Sequence, residues 1–347
     1  MEPTSMRAVV YRETGAAFEV LEVVDRPVPV PGPGEVRVRL ERAGVNPTDW
    51  KFRANGMHGD FDEVTPGQDG AGTVDAVGPG VDTLAVGDRV WTVLAQHERA
   101  LGTAAQYTVQ PVETLGRLPE GASFDLGASL GVPAVTAHRA LTAGDLATRV
   151  APGSMEGLAV LVAGGAGAVG NAAIQLARWA GATVVATVSS EEKAALATAA
   201  GAHHVVDYTA GSADDTAAAI EAVAPDGADG VDIVVEVSLA DNAAIDARVV
   251  RNGGVIAYYA DKQGESAPVP VRATFAKNAR LQGLILYTLR RDLLRAAIDD
   301  VTAAVEAGAL RVGEDAGLPL HHYPLEQTAE AHAAVEGGAV GKVLLEL

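Results

Sequence analysis

The chain has 347 residues, 48% of them hydrophobic and 20% charged, with a formal net charge of −19 and no cysteine. The length exceeds what one core usually holds and predicts two domains. The acidity would repel phosphate backbones and anionic lipid surfaces, which argues against nucleic-acid and membrane partners, and the missing cysteine excludes disulfides, a thiolate nucleophile and Cys-ligated zinc. Up to about residue 130 the chain is a series of short β-like runs, such as Arg7–Tyr11, Glu35–Leu40 and Gly72–Val77, broken by Pro and Gly. The Pro27–Gly34 stretch reads as a rigid extended connector, because its four prolines cannot sit in a paired central strand. The N-terminus shows no basic segment followed by an apolar core and a cleavage site, so the expected location is cytoplasmic.

From about residue 132 strands and helices alternate. Strands are predicted at 158–163, 183–188, 203–207, 231–237, 254–259 and 281–287, with helices at 168–180, 191–200, 213–223 and 242–250 between them. This pattern predicts a doubly wound parallel sheet of six strands. A long helix over 290–307 follows, and Gly341–Leu347 reads as a terminal strand. The run Leu158–Ala177 is apolar enough to mimic a membrane span, but its glycine turn, Asn171 and Gln175 favour a buried strand followed by a buried helix.

The most specific signal is the Gly164–Gly170 turn, which follows an apolar strand and opens a helix ending at Gly181. This is the Gly-x-Gly-x-x-Gly setting of a dinucleotide pyrophosphate cradle. Gly165 is expected to make the tight turn, Gly167 to admit backbone N–H groups to the phosphates, and Gly170 to let helix and strand approach. The helix N-terminus supplies partial positive charge. Sheets of this type that select NAD carry an acid at the end of the second strand. Here that place is Thr187-Val-Ser-Ser190, without one. Ser189 and Ser190 offer hydroxyl donors to a 2′-phosphate, Lys193 offers a cation, and Tyr208 ends the third strand nearby, which favours NADPH. On the bland reading, Ser190 is a helix cap and Lys193 a solvated lysine.

The segments Ala43–Asp49, Pro66–Val74, Val86–Val90, Gly131–Leu141, the glycine turn and Gly341-Lys342 together resemble the zinc-independent, zeta-crystallin-like quinone oxidoreductases of the medium-chain dehydrogenase/reductase superfamily. The resemblance implies an α/β protein with a GroES-like β-rich catalytic domain at 1–131, completed by 310–347, and a Rossmann domain at 132–309. It also implies no catalytic metal, since zinc-dependent relatives carry Gly-His-Glu where this chain has Pro66-Gly-Gln-Asp69. His58, the pair His203-His204 and the pair His321-His322 read as structural or solvated, because adjacent histidines on a strand face opposite ways.

By the same resemblance Ala166, Gly167, Ala168 and Val169 would hold the pyrophosphate, and Ser189, Ser190, Lys193 and Tyr208 the 2′-phosphate. Ser238, Tyr258, Tyr259 and Ala260 would line the groove toward the nicotinamide, which Asn46, Lys51 and Thr136 would face. Lys342 would also contact the cofactor. The family often has an aromatic residue in place of Lys51 and glycine in place of Tyr259. Asn46, Asp49 and Lys51 are the catalytic candidates. Asn46 is either a hydrogen-bond donor to the substrate oxygen or a turn residue before Pro47. Asp49 orients Lys51, relays a proton or forms a surface ion pair. The expected reaction is hydride transfer from NADPH to a quinone or α,β-unsaturated carbonyl. A non-catalytic NADPH-binding protein and an alcohol dehydrogenase on the same scaffold are the competing readings. The apolar strand 281–287 would be an exposed edge in a monomer, and related proteins pair it across a two-fold axis, so a homodimer is expected. Substrate walls are expected around residues 51–61 and 96–102.

Overall fold

The computed structural model describes residues 4–56, 60–144, 146–223, 229–261 and 264–347. The chain begins β1 (Ser5–Val10), α1 (Ala17–Val20), β2 (Glu22–Pro27), β3 (Glu35–Val45), α2 (Pro47–Asn55), β4 (Asp69–Val77), β5 (Arg89–Thr92), β6 (Tyr107–Pro111), β7 (Leu115–Arg117) and α3 (Phe124–Leu141). It continues through β8 (Ala159–Ala163), α4 (Ala168–Trp179), β9 (Thr183–Val188), α5 (Glu191–Ala199), β10 (His204–Asp207), α6 (Ala213–Val223), β11 (Val231–Glu236), α7 (Leu239–Val249), β12 (Val250–Tyr258), α8 (Val271–Ala276) and β13 (Arg280–Gly283). The last elements are α9 (Arg291–Glu306), β14 (Leu320–Pro324), α10 (Thr328–Glu336) and β15 (Lys342–Glu346).

Two compact units result. One comprises Met1–Val132, Arg290–Val305 and Pro319–Leu347, the other Pro133–Leu289 and Glu306–Leu318. In the first, a seven-stranded sheet runs β14-β15-β3-β4-β5-β7, with β6 also paired to β3. Inward residues such as Val36, Val38, Leu40, Val74 and Val90 build its core, as period-two alternation on a one-sided sheet requires. Register places the functional residues. Gly44 near the end of β3 lies opposite Asp69 of β4 on one side and Leu344 of β15 on the other. The residue after β3, Asn46, is thereby brought beside the start of β15.

The sequence reading put 290–307 with the nucleotide domain. The structure groups α9 with the first unit instead, where Trp91 Nε1 donates to Thr302 Oγ1 (3.3 Å) and Arg295 donates to the Leu115 carbonyl (2.8 Å). The helix's buried stripe, Leu294, Ala297, Ile298 and Val301, is what a 3.6-residue period supplies.

The second unit is the six-stranded sheet in the order β10-β9-β8-β11-β12-β13, every pair parallel. Its central strands are buried throughout, matching their continuous apolar runs. The last strand is shorter than predicted. The Gly283–Tyr258 pair is the last, closed by the Leu284 N–H on the Tyr258 carbonyl (2.8 Å), and Leu286–Thr288 form a 3-10 turn, so the apolar residues after Leu284 leave the ladder. The helix predicted to start at 242 begins at Leu239, with Ser238 at its N-cap position. Among the described residues no helix is long and apolar enough to cross a membrane.

Candidate active site

In the second unit the glycine turn forms as a cradle, with two assignments shifted. The left-handed residue is Gly164 (φ +70°) rather than Gly165. Gly165 serves close packing, since a Cβ there would sit 2.8 Å from the Ala186 methyl. A Cβ on Gly170 would overlap the Gly164 carbonyl, so helix and strand approach as closely as expected. The Gly167 N–H does not face outward but donates to Gly164 O at 3.0 Å. The open donors are instead those of the first turn of α4, Ala168, Val169 and Gly170, because first-turn N–H groups have no intrahelical acceptor. No side chain caps that end. Ala166 is buried behind the turn, whereas Gly167 is exposed and Ala168 and Val169 are half-buried. An uncapped helix start cleared of Cβ atoms fits a pyrophosphate.

At the end of β9, Ser190 caps α5, its Oγ accepting from Lys193 N at 3.3 Å. Its own hydroxyl proton remains to be donated. Lys193 Nζ folds back to donate to Ser189 Oγ at 2.8 Å, gathering an ammonium and two hydroxyls in one turn. Tyr208 N–H donates to Val188 O (3.0 Å) and its side chain is exposed beside them. At the ends of β11 and β12 a cleft of about 320 Å³ is lined by Val237, Ser238, Leu239, Tyr258, Ala260 and Leu281, among others. Tyr259, next along the chain, is absent from that lining; burial and the Glu236 carboxylate push its phenol up.

Glu236 ends β11 fully buried and was not anticipated. Its Oε1 accepts from the Ser238 backbone N–H and from Asn242 Nδ2 (3.0 Å). Asp246, also buried, lies near it. Burial raises both carboxyls, and Asp246 is raised further by the neighbouring Glu236. The available signal is a second acid, after Asp232, at the end of a strand whose other residues are Val and Ile.

In the first unit four polar side chains meet without water access. Asn46, Asp49, Asp69 and Lys342 are each at most 2% exposed. Asn46 Nδ2 donates to Asp69 Oδ2 at 2.7 Å, and Lys342 Nζ donates to Asn46 Oδ1 at 2.7 Å while lying 3.3 Å from Asp69 Oδ2. Asp69 Oδ1 accepts from Val132 N at 2.7 Å. The Asn46 backbone N–H donates to Asp49 Oδ2 at 2.7 Å, half of the capping box that starts α2, with Pro47 at the first helical position.

Asp49 is therefore not in a surface ion pair. It is buried because its carboxylate caps the backbone of Asn46 and Gln68. Burial first, and the nearby Asp69 second, push its carboxyl up to about 7. Burial also raises Asp69, against the pull of Lys342.

Of the remaining candidates, Lys51 is half-buried on α2, and Thr136 is buried on the part of α3 that belongs to the second unit. Lys342, expected at the cofactor, has its ammonium on Asn46 and Asp69. Gln68, where zinc-dependent relatives carry histidine, donates through Nε2 to Gln96 Oε1 at 3.2 Å. His203 accepts from Val184 N, His321 contacts the Val340 carbonyl and His322 lies 3.3 Å from Asp125. His58 and part of the 51–61 wall lie outside the described residues. Among those described, no group of three or more His, Asp or Glu is gathered as a metal site.

A dinucleotide cradle on a sheet of this order, in a chain that also carries a β-rich unit completed by the C-terminal strand, defines a two-domain nicotinamide-dependent oxidoreductase. Residues 32–120 match the alcohol dehydrogenase GroES-like domain family and residues 168–303 the zinc-binding dehydrogenase family. The chain is 32% identical over 352 residues to a quinone oxidoreductase of Lama guanicoe, covering 99% of this chain and 98% of that one. It is 31% identical over 351 residues to a 2-haloacrylate reductase of a Burkholderia species, covering 98% of each. A mycobacterial protein solved in complex with NADPH superposes with a TM-score of 0.80 at 30% identity, over 99% of this chain and 100% of that one. The chain belongs to the quinone oxidoreductase family of the medium-chain dehydrogenase/reductase superfamily.

Proposed function

We propose that this protein is an NADPH-dependent reductase that transfers hydride to quinones or α,β-unsaturated carbonyls. The observation that carries the cofactor choice is the Ser189–Lys193 contact at the end of β9, where an acid would otherwise hold a ribose 2′-hydroxyl. The names of the relatives support the acceptor class, since quinones and haloacrylates both present an electron-poor carbon conjugated to an oxygen.

The nicotinamide, when bound, supplies the hydride; the chain supplies the rest. Ala168, Val169 and Gly170 offer N–H groups to the pyrophosphate, and Ser189, Ser190, Lys193 and Tyr208 surround the 2′-phosphate. Ser238, Tyr258 and Ala260 line the cleft at the strand ends. Asn46 donates a hydrogen bond to the acceptor oxygen as negative charge develops there, a contribution worth about 3 kcal/mol in other enzymes. A neutral amide does this without titrating, and only one Nδ2 hydrogen is committed to Asp69. Asp49 holds the Asn46 backbone, and Lys51 is the cation of the set.

A homodimer through β13 completes the reading. Its support is an exposed edge strand with Leu281, Phe275 and Ile285 open to solvent nearby. Stopped-flow loss of NADPH absorbance against ortho-quinones, para-quinones and enones tests the function. Turnover with at least one class is expected, and none across the panel would reject it.

A further inference from the structure

We propose that Asp69 and Lys342 are positioning residues that set the orientation of the Asn46 carboxamide and hold its donor edge in one direction. This rests on Asn46 being the donor to the acceptor oxygen. An amide side chain offers an acceptor at one tip and two donor hydrogens at the other, and a half-turn about its last bond exchanges them. Within α2 the capping box has the Asn46 side chain accepting from the Asp49 backbone N–H, which favours the same orientation.

Two other strands hold it there with charged partners. Lys342 can only donate, so the atom 2.7 Å from its Nζ must be Oδ1. Asp69, facing both an ammonium and an amide, accepts, so the atom 2.7 Å from its Oδ2 must be Nδ2. Both contacts are charge-assisted, roughly twice as strong as neutral ones. Turning the amide over would set oxygen against carboxylate and NH2 against ammonium. With Asp69 holding one Nδ2 hydrogen, the other is fixed in the plane of the amide, and that hydrogen is what the reaction needs.

The backbone around the pair is cut to admit it. Gly44 of β3 lies first against the Ala128 carbonyl, which a Cβ would overlap, and next against the Lys342 side chain, at 2.8 Å from Cε and 2.9 Å from Nζ. Gly131 of α3 lies against the Asp69 carboxylate, which a Cβ would overlap. The next residue, Val132, gives its N–H to Asp69 Oδ1 just before Pro133, which has no N–H of its own. Asp69 is thus held at both oxygens before it holds Asn46. The pair has no catalytic contact of its own; it acts through Asn46.

Removing one charge would strand the other in the interior, so the main variant is the double D69N/K342M, which leaves neither. Four proteins are compared: wild type, N46A, D69N/K342M and the triple variant. Steady-state kcat and KM are read with NADPH and the best quinone or enone, together with the NADPH Kd by fluorescence and the thermal midpoint.

Partners that orient metal ligands are worth about 10–100-fold, and the same scale is expected for an oriented amide donor. D69N/K342M should therefore lose about 10–100-fold in kcat while its NADPH Kd stays within about twofold, and the triple variant should be no slower than N46A, since the pair acts only through that side chain. A purely structural pair would give additive losses, so a further tenfold drop in the triple variant overturns the proposal. Wild-type kcat in folded D69N/K342M, with N46A slow, overturns it while leaving Asn46 as the donor. Wild-type kcat in N46A overturns the donor reading itself. If the double variant does not fold, G131A gives the second route: its methyl displaces the Asp69 carboxylate while both charges remain, and the same kcat loss at unchanged NADPH Kd is expected. An unchanged kcat in folded G131A rejects the proposal.

Discussion

Replacing Lys193 with methionine should weaken NADPH binding and leave NADH nearly untouched. Lys193 Nζ holds Ser189 Oγ at 2.8 Å, which occupies one of its three protons and leaves two for a phosphate. A hydrogen bond to a charged group is worth about 1.5–3 kcal/mol. Lys193 is only half-buried, so the lower part of that range applies, and with tenfold per 1.4 kcal/mol the NADPH Kd should rise about 10–30-fold. Lys193→Glu adds repulsion to the lost attraction and should exceed about a hundredfold. The assay is titration of each reduced cofactor by its own fluorescence, at low and at about 0.5 M salt. Screening should narrow the difference at high salt. An equal loss for both cofactors would mean that the lysine supports the fold of α5 and not the 2′-phosphate. No loss for NADPH would place that phosphate elsewhere.

Three further outcomes follow from the geometry. Asp49 has its folded-state carboxyl raised to about 7, so the native state binds a proton that the unfolded chain has released. Its contribution to stability therefore falls as pH rises from about 4 to 7; chemical denaturation of Asp49→Asn should show a stability advantage over wild type at pH 8 that shrinks by pH 5, and a pH-independent difference would reject the assignment. Gly170→Ala drives a methyl into the Gly164 carbonyl and should cost about 1–3 kcal/mol of stability, with a large loss of NADPH affinity by titration; wild-type affinity would show that the cradle is not the pyrophosphate site. Sedimentation at micromolar concentration should find a dimer in wild type and a monomer in Leu281→Lys, and a monomeric wild type would remove β13 as an interface.

The second unit was legible because each strand carries its own signal. Fully apolar runs such as Val160–Val162 alternate with helices that end at glycines, as α4 does at Gly181, whose φ is +94°. Where the reading slipped, local sequence had two outlets. Ile285 and Leu286 are as apolar as a strand, yet the ladder ends with the Leu284 N–H on the Tyr258 carbonyl. Ser238 lines the cleft and also stands at the N-cap position of α7, so one residue type serves both a helix start and a ligand contact. Asn46 could be picked out, but not its company. The partners that define its amide lie 23 and 296 residues away, and only the pairing of β3 with β4 and β15 brings them together. Asp49 looked like surface because nothing local reveals that Asp69 and Lys342 close over it.

The strand that carries Lys342 also sets an order of assembly. Ribosomes add about 5–20 residues per second, so the 296 residues between Asn46 and Lys342 take about 15–60 s to make. Throughout that interval β3 has no β15 along its edge, and Asp69 must be solvated or protonated for want of its ammonium. The intervening segments, Pro133–Leu289 and Glu306–Leu318, contain the whole of the other unit, which can close its core in the meantime. Of the two units, the one whose first strand is made earlier is therefore completed later, and until then its nascent form carries an unpaired β3 edge.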